Sequence, residues 1–327
     1  MELRYLGRTG LRVSCLGLGT MTWGRDTYEQ DAAEQLKAFL DAGGNLLDTA
    51  DVYADGGAEY LISRLVGDFV PREEVVIATK AGSVPDPTRR FDGSRGHLLA
   101  ALDASLERLG TDYVDLWQVH AFDPATPTEE TLATLDLAVS SGRARYVGVS
   151  NYSGWQLAKA ATWQRAVPGR VPLACTQMEY SLLQRGIERE VLPAARDAGL
   201  GLLASSPLGR GVLTGKYRGG TTPADSRGAS PYLAGFVEPY LDERGRAIAD
   251  AVATAADGLG CTPLQVALAW VRDRPGVSSA LLGARTGAQL EEALSVRGLS
   301  LPEEIRAALS EVSAPLHYYP DQDWSLL

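Results

Sequence analysis

Val75-Val76-Ile77-Ala78-Thr79-Lys80 is a short apolar run, rich in β-branched residues, that ends on a lysine. It has the composition of a strand buried on both faces, and such strands belong to parallel sheets covered by helices. The run has counterparts on either side. Upstream, Asn45-Leu46-Leu47-Asp48-Thr49-Ala50 carries a carboxylate near its end; downstream, Val114-Asp115-Leu116-Trp117-Gln118-Val119-His120 ends on a histidine. If the three are neighbouring parallel strands, their polar ends converge on one rim and face a pocket. Tyr53 lies just past the first run, so Asp48, Tyr53, Lys80 and His120 form a candidate proton-handling group.

Working outward, similar runs occupy 15–19, 144–150, 174–180, 201–206 and 278–283, which with 45–50, 75–80 and 114–120 makes eight. The stretches 29–42, 57–67, 96–109, 128–141, 154–165, 187–198 and 244–274 show roughly helical spacing. Eight strands separated by helices predict an α/β chain folded as a (β/α)8 TIM barrel. A β-hairpin is expected at 2–14, turned by Gly7-Arg8-Thr9-Gly10. Residues 209–240, rich in Gly, Pro, Ser and Thr, read as a long loop over the rim after the seventh strand. Two helices follow near 242–258 and 263–273, the second capped by Thr262 with Pro263 in its first turn. The aromatic tail, with Tyr318, Tyr319 and Trp324, is expected to fold over the rim.

At 327 residues and 45% hydrophobic, the chain can build one large core, and a single domain over 1–327 is the expectation. Its net charge of −10 argues against nucleic acid and anionic membranes, so any bound phosphate needs a local basic site. Cys15, Cys175 and Cys261 are odd in number and far apart, which suggests neither a disulfide framework nor a zinc site and fits a reduced, cytoplasmic protein. No run approaches the length of a membrane span. Monomer and homo-oligomer are both compatible with the composition.

A free tyrosine is a poor acid at neutral pH, but a neighbouring ammonium favours its phenolate. Lys80 can supply that charge, Asp48 can balance Lys80, and His120 can offer a ring N–H to a carbonyl oxygen. Together they suit proton donation to a developing alkoxide. Each residue alone also fits a structural role: a strand buttress for Asp48, a solvated strand end for Lys80, a hydrogen-bonded core imidazole for His120, a wall for Tyr53. Gly17-Leu18-Gly19 opens like a dinucleotide fingerprint, but the third glycine and a prompt helix are absent. Gly209-Arg210-Gly211-Val212-Leu213-Thr214-Gly215-Lys216-Tyr217 departs from a phosphate loop at Arg210 and Tyr217 and reads instead as a glycine-rich clamp.

Eight short words, in order along the strands, then resemble one family: Gly19-Thr20-Met21-Thr22-Trp23-Gly24, Asp48-Thr49-Ala50-Asp51-Val52-Tyr53, Ala78-Thr79-Lys80, Gln118-Val119-His120, Gly148-Val149-Ser150-Asn151, Gln177-Met178-Glu179-Tyr180, Ser206-Pro207-Leu208-Gly209 and Leu282-Gly283-Ala284-Arg285. The chain is similar, over nearly its whole length, to aldo-keto reductases, nearest the branch of bacterial reductases and potassium-channel β subunits. The resemblance implies hydride transfer from NADPH to an aldehyde or ketone, with Tyr53 as proton donor, Lys80 and Asp48 tuning it, and His120 orienting the carbonyl. It places Ser150, Asn151 and Gln177 on the nicotinamide carboxamide, and Ser206, Leu208, Gly211 and Lys216 on the pyrophosphate. Arg227, Arg285, Gln289 and Glu292 fall at the adenosine end, the two arginines suggesting a 2′-phosphate. Thr20, Met21, Trp23, Asp48, Ser205, Pro207, Gly209 and Gly283 complete the implied cofactor wall.

Two positions depart from the family pattern: Ser205 stands where an aromatic residue commonly stacks on the nicotinamide, and Ala293 where an asparagine often contacts adenine. Trp23, Tyr53, Phe91, His120, Phe122 and Tyr152 are the candidate substrate walls. A regulatory cofactor-binding subunit, a keto-sugar reductase, and a lyase using Lys80 as a Schiff-base amine are the other readings open at this point.

Overall fold

The computed structural model describes residues 1–315 apart from 87, 225, 231 and 232. The tail aromatics Tyr318, Tyr319 and Trp324 lie outside the described residues. An antiparallel hairpin, β1 (Leu3–Tyr5) and β2 (Arg12–Ser14), precedes eight barrel strands: β3 (Leu16–Gly19), β4 (Leu46–Asp48), β5 (Val76–Ala81), β6 (Val114–Val119), β7 (Ala144–Ser150), β8 (Cys175–Glu179), β9 (Gly201–Ser205) and β10 (Val277–Leu282). All neighbours pair in parallel, and β10 meets both β9 and β3, so the sheet is closed. This is the (β/α)8 barrel with the amino-terminal hairpin that the runs predict.

The helices are α1 (Glu29–Asp41), α2 (Gly57–Leu65), α3 (Arg95–Leu109), α4 (Thr128–Ser140), α5 (Gly154–Ala166), α6 (Val191–Ala198), α7 (Ala234–Val237), α8 (Glu243–Leu259), α9 (Pro263–Arg272), α10 (Gly287–Leu294) and α11 (Glu303–Val312). The start of α9 is specified locally. The Thr262 side chain accepts from the Gln265 N–H at 3.3 Å while Gln265 Oε1 accepts from the Thr262 N–H at 2.8 Å, with Pro263 in the first turn. α6 begins at Val191, later than its pattern predicts, because Glu188 is tied to Arg185 and Arg274 in a short turn ahead of it. α11 is not among the helices the sequence predicts; Leu309 is its one buried residue, too few to mark a stripe.

Strand periodicity explains how the barrel positions a site. Leu46, Ala78, Leu116, Cys175, Leu203 and Leu281 meet Leu6 and Val13 of the hairpin in one buried cluster that fills the barrel's lower interior. Side chains two residues along a strand share a face. One step toward the carboxyl rim, the inward positions are therefore Asp48, Lys80, Gln118, Gln177 and Ser205, and the filling changes from apolar to polar. Gly17 of β3 keeps this interior tight, since a Cβ there would stand 2.7 Å from Leu281 Cδ2.

The hairpin seals the opposite end. Arg8 N–H donates to Gly199 O at 2.9 Å, Arg4 donates to Arg272 O at 2.6 Å, and Ser278 Oγ donates to Tyr5 O at 3.2 Å. Gly7, at φ 60°, passes so close to the floor that a Cβ would come within 2.5 Å of Ala174 O.

Candidate active site

At the carboxyl rim Lys80 is 2% exposed and Asp48 4%. Such burial of an ammonium is tolerated only with full hydrogen bonding. Lys80 Nζ donates to Asp48 Oδ2 at 2.9 Å and to Thr49 O at 2.6 Å, and Gln177 Nε2 donates to Asp48 Oδ1 at 3.1 Å. Burial opposes the charge on Lys80, yet Asp48 and the hydrogen-bonded Tyr53 outweigh it and hold the pKa above the ordinary lysine value.

Tyr53 stands beside this pair, its ring centroid 5.3 Å from Lys80 Nζ. The ammonium favours the phenolate as the sequence suggests, but burial is the larger influence, and the net shift of Tyr53 is upward. The expectation of a lowered pKa is thus corrected for the free protein: the phenol stays protonated. His120 meets Tyr53 edge-on, with centroids 6.1 Å apart at 79°. Burial, with the Lys80 charge adding to it, pushes His120 down to about 3, so the imidazole is neutral at ordinary pH. Its Nδ1 is buried and has no hydrogen-bond partner among the described residues.

Next to them, Asn151 takes a left-handed φ of 56° and its amide donates to His120 O at 2.9 Å and Ser150 Oγ at 3.1 Å, while Ser150 Oγ donates to Gln177 O at 3.0 Å. Gln177 Oε1 is a buried acceptor without a partner among the described residues.

These groups form part of the wall of a cleft of about 570 Å³. Met21, Asp48, Tyr53, Lys80, His120, Ser150, Asn151, Gln177, Ser205, Ser206, Pro207, Leu208, Gly211, Lys216, Arg227, Gly283, Arg285, Gln289 and Glu292 all line it. Ser205 and Ala293, the two departures from the family pattern, lie on the same wall.

Other expected residues are elsewhere. Thr20 is fully buried, its hydroxyl donating to Asp48 O at 3.2 Å, and Gly209 is turned against Leu183. Trp23 is fully buried, its indole N–H donating to Gln35 at 2.9 Å, and Tyr152 is 1% exposed behind Phe122. Neither aromatic presents a face to the cleft, which corrects their placement as pocket walls. Phe91 and Phe122 line an adjoining apolar depression with Trp155, and Asn151 borders both spaces.

The sequence reading notes Arg210 only as a departure from a phosphate loop and gives it no role. At φ 59° it pairs with Glu179, donates to Phe236 O at 2.6 Å, and lies 5.2 Å from the ring centroids of Phe236 and Tyr240. The available signal was an arginine among the glycines of 209–215.

The cleft suits a dinucleotide. The unpartnered Gln177 oxygen can accept from a carboxamide. A Cβ at Gly211 would stand 3.7 Å from Lys216 Nζ, and one at Gly283 3.7 Å from an Arg227 nitrogen, so two cations lie against bare backbone. Burial, then the neighbouring charge of Arg285, hold Arg227 below the ordinary guanidinium value. A crowd of like charges in a cleft is the electrostatic signature of an anion site.

A polar cleft lined by titratable side chains at the carboxyl rim of a closed (β/α)8 barrel lies where barrel enzymes hold their active sites. The model of the "Aldo/keto reductase family" matches residues 15–314, and the chain belongs to that family. It is similar to "Uncharacterized oxidoreductase YrpG" of Bacillus subtilis (strain 168), 38% identical over 95% of this chain and 96% of that one. It is also 38% identical to a "Probable voltage-gated potassium channel subunit beta" of Oryza sativa subsp. japonica, over 93% of this chain and 94% of that one. A protein of the same description from Arabidopsis thaliana is 36% identical, over 89% and 90% of the two chains. Membership makes this chain an oxidoreductase by family. Among the described residues, no helix is long and apolar enough to cross a membrane.

Proposed function

We propose that the chain reduces an aldehyde or ketone to the alcohol with NADPH as hydride source and Tyr53 as proton donor. The observation that carries this reading is the contact of protonated Tyr53 with a buried, charge-balanced Lys80–Asp48 pair and a neutral imidazole in one cleft. When bound, the nicotinamide supplies the hydride. Ser150, Asn151 and Gln177 hold its carboxamide, Lys216 and the backbone around Gly211 its pyrophosphate, and Arg227 and Arg285 the 2′-phosphate.

As charge develops on the carbonyl oxygen, the Tyr53 hydroxyl transfers its proton to that atom. Lys80 stabilises the phenolate left behind. Asp48 keeps the ammonium fixed, so little reorganisation accompanies the step. A neutral His120 offers one N–H to the same oxygen and adds no competing cation. With its ammonium engaged by Asp48, Thr49 O and Tyr53, Lys80 is poorly placed to act as a free Schiff-base amine. The apolar depression at Phe91 and Phe122 suits the hydrocarbon part of a substrate.

The test is oxidation of NADPH and NADH against a panel of aldehydes, ketones and keto-sugars, for the native chain and Tyr53→Phe. Turnover should fall by roughly 10²–10⁴-fold in the variant, with NADPH binding retained. Undiminished turnover would remove Tyr53 from the mechanism. Tight NADPH binding with no turnover of any carbonyl would favour a cofactor-binding subunit instead, two plant relatives being described as probable potassium-channel β subunits.

A further inference from the structure

Tyr53 heads an unusual turn. Ala54, Asp55 and Gly56 follow it at φ 50°, 54° and 89°, three successive left-handed residues of which two are not glycine. Such a turn persists only where its surroundings over-determine it.

A buried charged layer lies beneath it. Arg108 of α3 passes under the turn so closely that a Cβ at Gly56 would stand 2.6 Å from Arg108 Cδ. Its Nε donates to Glu59 Oε2 at 2.7 Å, and Glu59, fully buried on α2, also accepts from Thr79 Oγ1 at 2.6 Å. Asp51 lies beside this layer, two residues before Tyr53, with its backbone N–H donating to Lys80 O at 3.0 Å. One Asp51 carboxyl oxygen is buried without a hydrogen-bond partner among the described residues. A buried carboxyl oxygen without a partner, near a second buried carboxylate, calls for an explanation beyond packing.

We propose that Asp51 is a positioning residue for the reaction: its protonation state, governed by the Glu59–Arg108 pair, sets how readily Tyr53 gives up its proton. The inference rests on Tyr53 being the donor. The charged groups around Asp51 are Asp48 at the end of β4, Lys80 on β5, Glu59 on α2 and Arg108 on α3, with Tyr53 on its own turn. Burial, then repulsion from Glu59, raise Asp51 to about 7, while Arg108 and Lys80 pull the other way and only partly offset this. An Asp51 anion in turn opposes a phenolate at Tyr53.

The direction of the effect follows. Reduction leaves Tyr53 as phenolate. A protonated Asp51 does not oppose that charge, whereas an ionised one does, so proton donation weakens as pH rises through about 7. The same group leaves a mark on stability. Its pKa is raised from 3.8 in the folded protein, so its contribution is fully present below 3.8 and is lost as pH rises through about 7.

The experiment is a pH profile of the single-turnover rate of NADPH oxidation for the native chain, Asp51→Asn and Tyr53→Phe, with melting temperatures measured over the same range. The native rate should fall by roughly threefold to tenfold on the alkaline side of neutrality, since one pKa unit at Tyr53 corresponds to at most tenfold. Asp51→Asn should keep the acid-side rate throughout, and its melting temperature relative to the native chain should climb as the pH rises from about 4 to about 7 and level off above that. If Tyr53→Phe abolishes turnover but Asp51→Asn retains the native limb, or slows the reaction equally at every pH, the role of Asp51 is overturned and the donor assignment stands. If Tyr53→Phe turns over normally, both fall together.

Discussion

Asp48 shows how much one side chain organises. Its two oxygens are occupied by Lys80 and Gln177, residues from two other strands, so it joins the proton-handling group to the polar layer above the apolar floor. Asp48→Ala leaves an ammonium buried without its counter-ion, and denaturant unfolding should show a loss of about 3–5 kcal/mol. A loss under about 1 kcal/mol would mean that water or Tyr53 compensates. Asp48, Lys80 and His120 were legible in the sequence because a charged or titratable group ending a buried run contradicts the run's own chemistry. Trp23 and Tyr152 were misread because an aromatic residue near a rim satisfies wall and core equally well; only the packing decides. Asp51 lies within a matching word but carries no sign of its surroundings there, because Arg108 reaches it from α3, two helices on.

Among the elements, the segment after β9 is held by side-chain contacts rather than by regular pairing. Arg210 ties it to Glu179 at the end of β8 and to Phe236 beyond the next turns, and Tyr240 closes the group by donating to Glu179 at 2.9 Å. Arg210→Ala removes a charge-assisted clasp of a kind worth about 1.5–3 kcal/mol. Cofactor release measured by rapid displacement should accelerate by roughly tenfold or more, for NADPH and NADH alike. An unchanged release rate would show that the clasp does not gate the cleft. The loop's existence was legible from its glycines and prolines, and α9 from its cap. Its contacts were not, because they centre on Arg210, a left-handed residue whose partners lie 31 positions before it and 26 after it.

For the molecule as a whole, charge is unevenly placed. A chain with net charge −10 gathers Lys216, Arg227 and Arg285 along one wall of its cleft. Those cations counter a field that otherwise repels a phosphate-rich ligand. Replacing Arg285 by Ala should weaken NADPH roughly tenfold or more while changing NADH far less, as read by equilibrium titration. Equal weakening of both would displace the 2′-phosphate from this end of the cleft. The barrel itself was legible because each of its eight strands is an apolar run and helical spacing separates most of them. β10, reached only after a long interval, returns to close against β3, as a count of eight strands requires.

The hairpin under the barrel imposes an order on how this protein comes into being. Its residues are made before their partners: Gly199, Arg272 and Ser278 follow roughly 190 to 270 residues later. Contacts separated so far along a chain form slowly, because the intervening loop must close before they yield anything. The floor therefore stays open throughout most of translation, and Leu6 and Val13 wait exposed until the last strand arrives. A nascent chain stalled before β10 would present that apolar plug to chaperones or to other copies of itself.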